Sequence, residues 1–180
     1  LLLLKALAML PRTDCGAVLA GTIAEGSAYG ASLVAAIRKA GLGERVRFAG
    51  AIADPAAALS LADLVVLPAT RPVASGLTAV VAQAMGKPVI VANQGGLAEC
   101  VMPAATGWLV PPDDPAELAR ALELALGMDG DARQRLAARA RAFVCGEFGL
   151  ETVAARTMAV YRELIGAGAA ADGGRRLPLA

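Results

Sequence analysis

The sequence predicts an α/β fold in which a parallel sheet is sandwiched by helices. Three observations carry this. Short runs such as Leu64–Leu67 and Pro88–Ala92 are apolar throughout; helical stretches lie between such runs; and glycine or proline marks most junctions. Hydrophobic residues make up 57% of the 180, yet aromatic residues only 3%, so the core is built mainly from Ala, Leu and Val. Charged residues are 18% of the chain, and so apolar a composition packs into a globular domain instead of remaining disordered. Residues 1–165 read as one domain without an internal linker or repeat, and residues 166–180 as a flexible C-terminal tail.

Taken in order, Leu1–Leu10 reads as a helix stopped by Pro11. Cys15–Ala20 follows as a buried strand ended by Gly21, and Ala28–Ala40 as a helix with Tyr29, Leu33, Ala36 and Ile37 along one side. Val46–Phe48 is a strand, and Ala56–Leu61 a short helix entered at Asp54-Pro55. After the strand Leu64–Leu67 comes a helix, Leu77–Met85, then the strand Pro88–Ala92 and a short helix opened by Gly95-Gly96 and running through Glu99. Trp108–Val110 is extended. Asp114-Pro115 starts a helix to Leu126, with an N-cap, a proline at the first helical position and Glu117 in the first turn. Helices over Asp131–Val144 and Leu150–Ile165 complete the domain.

Composition removes whole classes of function. The 180 residues contain no histidine, which excludes Ser-His-Asp and Cys-His catalysis and every histidine-containing metal site. A net charge of +1 leaves no electrostatic footprint for nucleic acid or an anionic membrane surface. Cys15, Cys100 and Cys145 are odd in number and never form a C-x-x-C pair, a usage that fits a reducing cytosol and a cytoplasmic protein. No basic region precedes an apolar stretch as in a signal peptide, and no apolar run is long enough for an integral membrane segment. The first residue is not Met, which predicts a longer natural chain.

In a parallel α/β sheet the working loops follow the C-terminal ends of the strands. Here these are Gly21–Ser27, Gly50–Pro55, Pro68–Gly76 and Asn93–Gly96. Gly21 and Gly26 have the spacing of a phosphate-binding P-loop, but Ser27-Ala28 stand where Lys and Ser/Thr are needed. Ser75 lacks the first glycine of a G-x-S-x-G elbow. What survives is the helix start at Gly76-Leu77-Thr78, whose free amides and dipole favour an anion and whose glycine lets one approach the backbone. The same turn fits an ordinary strand-to-helix junction. Gly95-Gly96 is a second start of the same kind, and Glu99 fits either a site residue or one that completes a helix turn or pairs with a cation. Trp108 reads as core, and Asp113-Asp114 as a helix cap.

Three segments at characteristic spacing, Ala82–Ile90, Gly95–Glu99 and Thr106–Pro112, resemble the retaining GT-B glycosyltransferases of family 4 (group 1). The likeness is to their C-terminal, nucleotide-sugar-binding half, a Rossmann-like domain, and it extends from Leu1 to about Leu164. It implies a nucleotide-sugar donor, retaining transfer to an acceptor, no metal or other cofactor, and a partner lobe on the N-terminal side that holds the acceptor. It further implies that the chain begins inside its first helix, without the first strand and the phosphate-clamping Arg and Lys ahead of it; Lys5 sits too far along that helix to replace the latter.

The family carries two glutamates eight positions apart, one for a donor-sugar hydroxyl and one for the ribose diol, with amides between them for the pyrophosphate. Those positions are Val73 and Val81 here, so no catalytic residue is intact, while Gly21, Gly76, Leu77 and Thr78 remain as donor or diphosphate binders and Gly95, Gly96 and Glu99 as candidates. Ser75 stands where an aromatic is usual, Asn93-Gln94 where Asp-His is common, and Ile23 at the second glycine of the family's first loop. The resemblance thus supports the donor half of a glycosyltransferase, inactive on its own. The alternative is a non-catalytic, degenerate relative kept as a structural or interaction domain.

Overall fold

The computed structural model describes residues 1–24 and 26–172, with side chains to residue 166. Its elements are α1 (Leu2–Met9), β1 (Ala17–Ala20), α2 (Ala28–Lys39), β2 (Val46–Gly50), α3 (Pro55–Leu61), β3 (Val65–Leu67), α4 (Leu77–Ala84), β4 (Val89–Ala92), a 3-10 helix (Gly95–Cys100), β5 (Trp108–Val110), α5 (Pro115–Leu126), α6 (Gly130–Phe148) and α7 (Leu150–Asp172).

Pairing is parallel throughout, as expected, but the strands form two sheets where the sequence predicts one: β1–β2, and β3–β4–β5. One apolar core joins them. Leu2, Leu4 and Leu7 of α1, Leu33 and Ile37 of α2, Val46, Ile90, Val110 and the Leu118–Ala125 face of α5 form one cluster, with Leu19 and Val66 packed against it. On the opposite face of the three-stranded sheet, Val65, Val89 and Val91 meet Ala79 and Ala82 of α4, and Leu97 and Cys100 of the 3-10 helix. Strand β4 therefore has all four residues buried, as a central strand covered on both faces requires.

Local chemistry sets most helix starts. Ser27, Asp54, Asp114 and Asp129 each accept a backbone amide of the helix that follows, Asp114 taking two, from Ala116 and Glu117 at 3.0 Å. A side-chain cap of this kind contributes about 0.5–2 kcal/mol. Several boundaries differ from the sequence reading, among them β2, which runs past Phe48 to Gly50, and three others. The first strand starts at Ala17, because the Cys15 carbonyl accepts from Arg45 Nε at 3.0 Å instead of entering the ladder. Helix α6 runs past Val144 to Phe148, where Phe143 and Phe148 pack edge to face with centroids 6.1 Å apart. Helix α7 continues through Gly166, the predicted start of a flexible tail, to Asp172; the rest of that tail, residues 173–180, lies outside the described residues, as does Glu25 of the first loop. On α2, Leu33 and Ile37 are buried as predicted but Tyr29 is exposed, since α2 turns only that narrower stripe to the core.

Candidate functional site

Strand β3 ends at Leu67 and the chain loops over Pro68–Ser75 to Gly76, the N-cap of α4. No side chain caps this helix, unlike α2, α3, α5 and α6. Leu77 and Thr78 are exposed at the positive end of the helix dipole, while Gly76 is buried with its amide against Cys100 Sγ. The loop holds no acidic residue; Arg71, exposed, is its one charge.

The second predicted helix start is drawn against the first. The Gly96 amide donates to the Val73 carbonyl at 2.9 Å, and Gln94 Nε2 donates to the Ala69 carbonyl. A Cβ on Gly95 would stand 2.6 Å from the Val73 oxygen, and one on Gly96 2.5 Å from the Ala74 oxygen. Gly95 also has φ +53°. Both glycines thus provide the clearance that lets two loops touch. Gly76 is similar: a Cβ there would lie 2.5 Å from Cys100 Sγ. Burial pushes the Cys100 thiol above its ordinary value, with the nearby Gly76 amide pulling the other way and Glu99 adding to the rise. Its sulfur donates to the Gly96 carbonyl at 3.1 Å.

The structure therefore brings Gly76, Leu77 and Thr78 together with Gly95 and Gly96. Glu99, in the same 3-10 helix, is exposed and joins none of the ion pairs among the described residues. Gly21 is on the other sheet: at the end of β1, with φ +133°, it donates its amide to the Gly50 carbonyl at 2.8 Å. Val73 is 37% exposed in the loop and Val81 half-buried in α4. Asp114 is a cap and Trp108 packs against the main core, as their sequence context indicates.

One residue of this region gives little warning in the sequence. Gln83, fully buried in α4, donates from Nε2 to the Cys100 carbonyl at 2.7 Å and to the Ala79 carbonyl at 3.2 Å. A glutamine among Ala79, Ala82 and Ala84 hints at a buried polar group, but its partner lies 17 residues further on. Among the described residues no group of three His, Cys, Asp or Glu could hold a metal ion, and no helix is long and apolar enough to cross a membrane.

Comparison with known proteins agrees with this architecture. Residues 1–143 match the family described as glycosyl transferases group 1. A D-inositol 3-phosphate glycosyltransferase of Jonesia denitrificans is 37% identical over 131 residues, covering 72% of this chain and 30% of the relative. A glycogen synthase of Mycobacterium tuberculosis is 37% identical over 160 residues, covering 88% of this chain and 38% of the relative. Among solved structures, Anabaena Alr3699/HepE in complex with UDP and glucose superposes with a TM-score of 0.81 at 30% identity, over 89% of this chain and 44% of that one. The chain thus spans less than half the length of these relatives. Its α/β architecture of parallel strands flanked by helices is that of GT-B glycosyltransferases, and the match over residues 1–143 shows that the chain belongs to the group 1 glycosyltransferase family.

Proposed function

We propose that this chain is the C-terminal, donor-binding half of a retaining, family 4 glycosyltransferase of the cytoplasm. In this reading it binds the diphosphate of a nucleotide sugar at the first turn of α4. The observation that carries the reading is the N-terminus of α4, which no side chain caps and whose exposed Leu77 and Thr78 follow a loop that holds Arg71 and no carboxylate. Backbone amides and the helix dipole supply what a diphosphate needs without any side chain. The UDP and glucose held by Alr3699/HepE support a nucleotide sugar as donor. Gly95 and Gly96 brace that turn; Glu99, exposed in the same 3-10 helix, serves as a polar group for the donor, and Gly21 opens the loop after β1. No metal is required. An acceptor lobe N-terminal to this half would close the cleft, and the 180 residues alone do not turn over substrate.

The valines at positions 73 and 81 favour a second reading, in which the fold persists as a non-catalytic structural or interaction domain. Titrating the protein with UDP, GDP and ADP while following backbone amide resonances separates the two. Saturating shifts at Gly76–Thr78 support the donor site and identify the preferred base. Unmoved amides at millimolar nucleotide leave the structural domain.

A further inference from the structure

We infer that Gln83 is a positioning residue: by holding the Cys100 carbonyl it sets the register of the 3-10 helix against α4, and so places Glu99 relative to the Gly76–Thr78 amides. The inference rests on the donor-site reading of that cleft, and its chemistry is local.

Gln83 has no exposure to solvent. Its Nε2 makes two bonds, to Ala79 in its own helix and to Cys100 at the far end of the 3-10 helix. Its Oε1 is buried without a partner. Turning the amide over would aim that oxygen at two carbonyls, so the two acceptors fix the orientation. A position this dry, with half its amide unsatisfied, would suit leucine or methionine better if packing were its whole purpose. What glutamine adds is a directional tie between elements 17 residues apart.

That tie has leverage, because a 3-10 helix has poorer hydrogen-bond geometry of its own and depends on its ends. The near end is held by the Gly96 amide on Val73. The far end, one residue beyond Glu99, is held by Gln83. Cys100 Sγ, against Gly76 and bonded to the Gly96 carbonyl, also holds that end, so losing the Gln83 bond loosens the Glu99 backbone without releasing it while the α4 amides stay in place.

The test is a double-mutant cycle read by UDP-glucose and UDP binding, with Gln83→Leu, Glu99→Gln and the pair. Gln83→Leu is expected to raise the UDP-glucose Kd roughly 3- to 10-fold. Its effect and that of Glu99→Gln combine with a departure from additivity of at least about 2-fold, because the second loss removes what the first has already displaced. A role confined to fold stability lowers the melting temperature but gives additive or absent effects on Kd, and that result overturns the inference. Gln83→Met, closer in shape, replaces Gln83→Leu if the latter does not fold. The failure of the donor reading is distinct: the unsubstituted protein then binds neither ligand. In that event, resonances of Ala98–Val101 and Gly76–Thr78 in the ligand-free variant test the register alone, and shifts confined to the neighbours of position 83 in α4 overturn it.

Discussion

Restoring the missing carboxylates tests the donor site most directly, because the two positions act on different parts of the ligand. Val73 lies in the open loop and is 37% exposed, so a glutamate there can reach solvent with its carboxylate and Val73→Glu creates no cavity. Val81 is half-buried in α4, five positions into the helix. There, losing part of a valine's burial costs about 1 kcal/mol, and the helix dipole returns little because its effect falls off within the first turn. A hydrogen bond between a carboxylate and a hydroxyl contributes about 1.5–3 kcal/mol, so each substitution is expected to tighten binding roughly 10- to 100-fold. The assay is isothermal titration with UDP and with UDP-glucose. Val81→Glu, facing the ribose diol, tightens both ligands by the same factor. Val73→Glu, facing the sugar, tightens UDP-glucose and leaves UDP unchanged. If neither substitution changes either Kd, the assignment of these positions is wrong, and with it the placing of the donor on α4. A Val73→Glu protein that tightens UDP as much as UDP-glucose refutes the division of roles.

Three further outcomes test the framework around the site. Gly76→Ala places a Cβ 2.5 Å from Cys100 Sγ and should cost about 1–3 kcal/mol in urea unfolding, with only part of the loss recovered in Gly76→Ala/Cys100→Ala, since the Gly96 oxygen at 3.2 Å and the residue-100 Cβ at 3.3 Å remain. Asp114→Ala removes the acceptor of two α5 amides, and a loss of about 0.5–2 kcal/mol is expected by the same method. Asp14 is exposed and its carboxyl is lowered to about 2, chiefly by the hydrogen bond from Arg12, which outweighs an opposing desolvation, with that guanidinium's charge adding to the lowering. Because the folded value is the depressed one, the pair's contribution is present above the ordinary carboxylate value of 3.8 and is lost as pH falls toward 2. Carboxyl NMR should therefore show Asp14 titrating near 2, and near its ordinary value in Arg12→Gln; an unchanged midpoint in the variant refutes the pairing.

The parts of this fold that sequence reveals are those decided by neighbours in the chain. Asp54 and Asp114 cap helices through amides two or three residues away, so spacing alone exposes them, whereas the sequence reading passes over the Asp129 cap and starts its helix at Asp131. Val89–Ala92 is apolar at every position between Pro88 and Asn93, and only a strand covered on both faces suits that pattern. The division into two sheets depends instead on which strands meet across the fold, and no local pattern encodes it. Distance hides the site's bracing in the same way. Gly95 and Gly96 read as ligand-facing glycines, yet their crowding comes from Val73 and Ala74, about twenty residues earlier. Gln83 reads as one polar position in a helix until the Cys100 carbonyl is seen against it.

This has a consequence for weighing the two functional readings. The intact part of the site is made of main chain and of glycines that the packing itself demands: Gly76 against Cys100, and Gly95 and Gly96 against the loop before α4. A purely structural domain needs those glycines as much as an enzyme does, because any Cβ there meets backbone or a buried sulfur within 2.6 Å. Their presence therefore does not count for catalysis. The positions that would count, 73 and 81, bear on nothing structural that a glutamate would serve; Val73 is exposed and Val81 lies on the half-buried side of α4. Valine there removes sugar and ribose contacts while leaving the amide cradle whole, since that cradle is made by the helix and not by its side chains. On the proposed reading, diphosphate binding and sugar transfer therefore separate in this chain: the first is expected in the protein as it stands, and the second only with the two carboxylates and an acceptor lobe together.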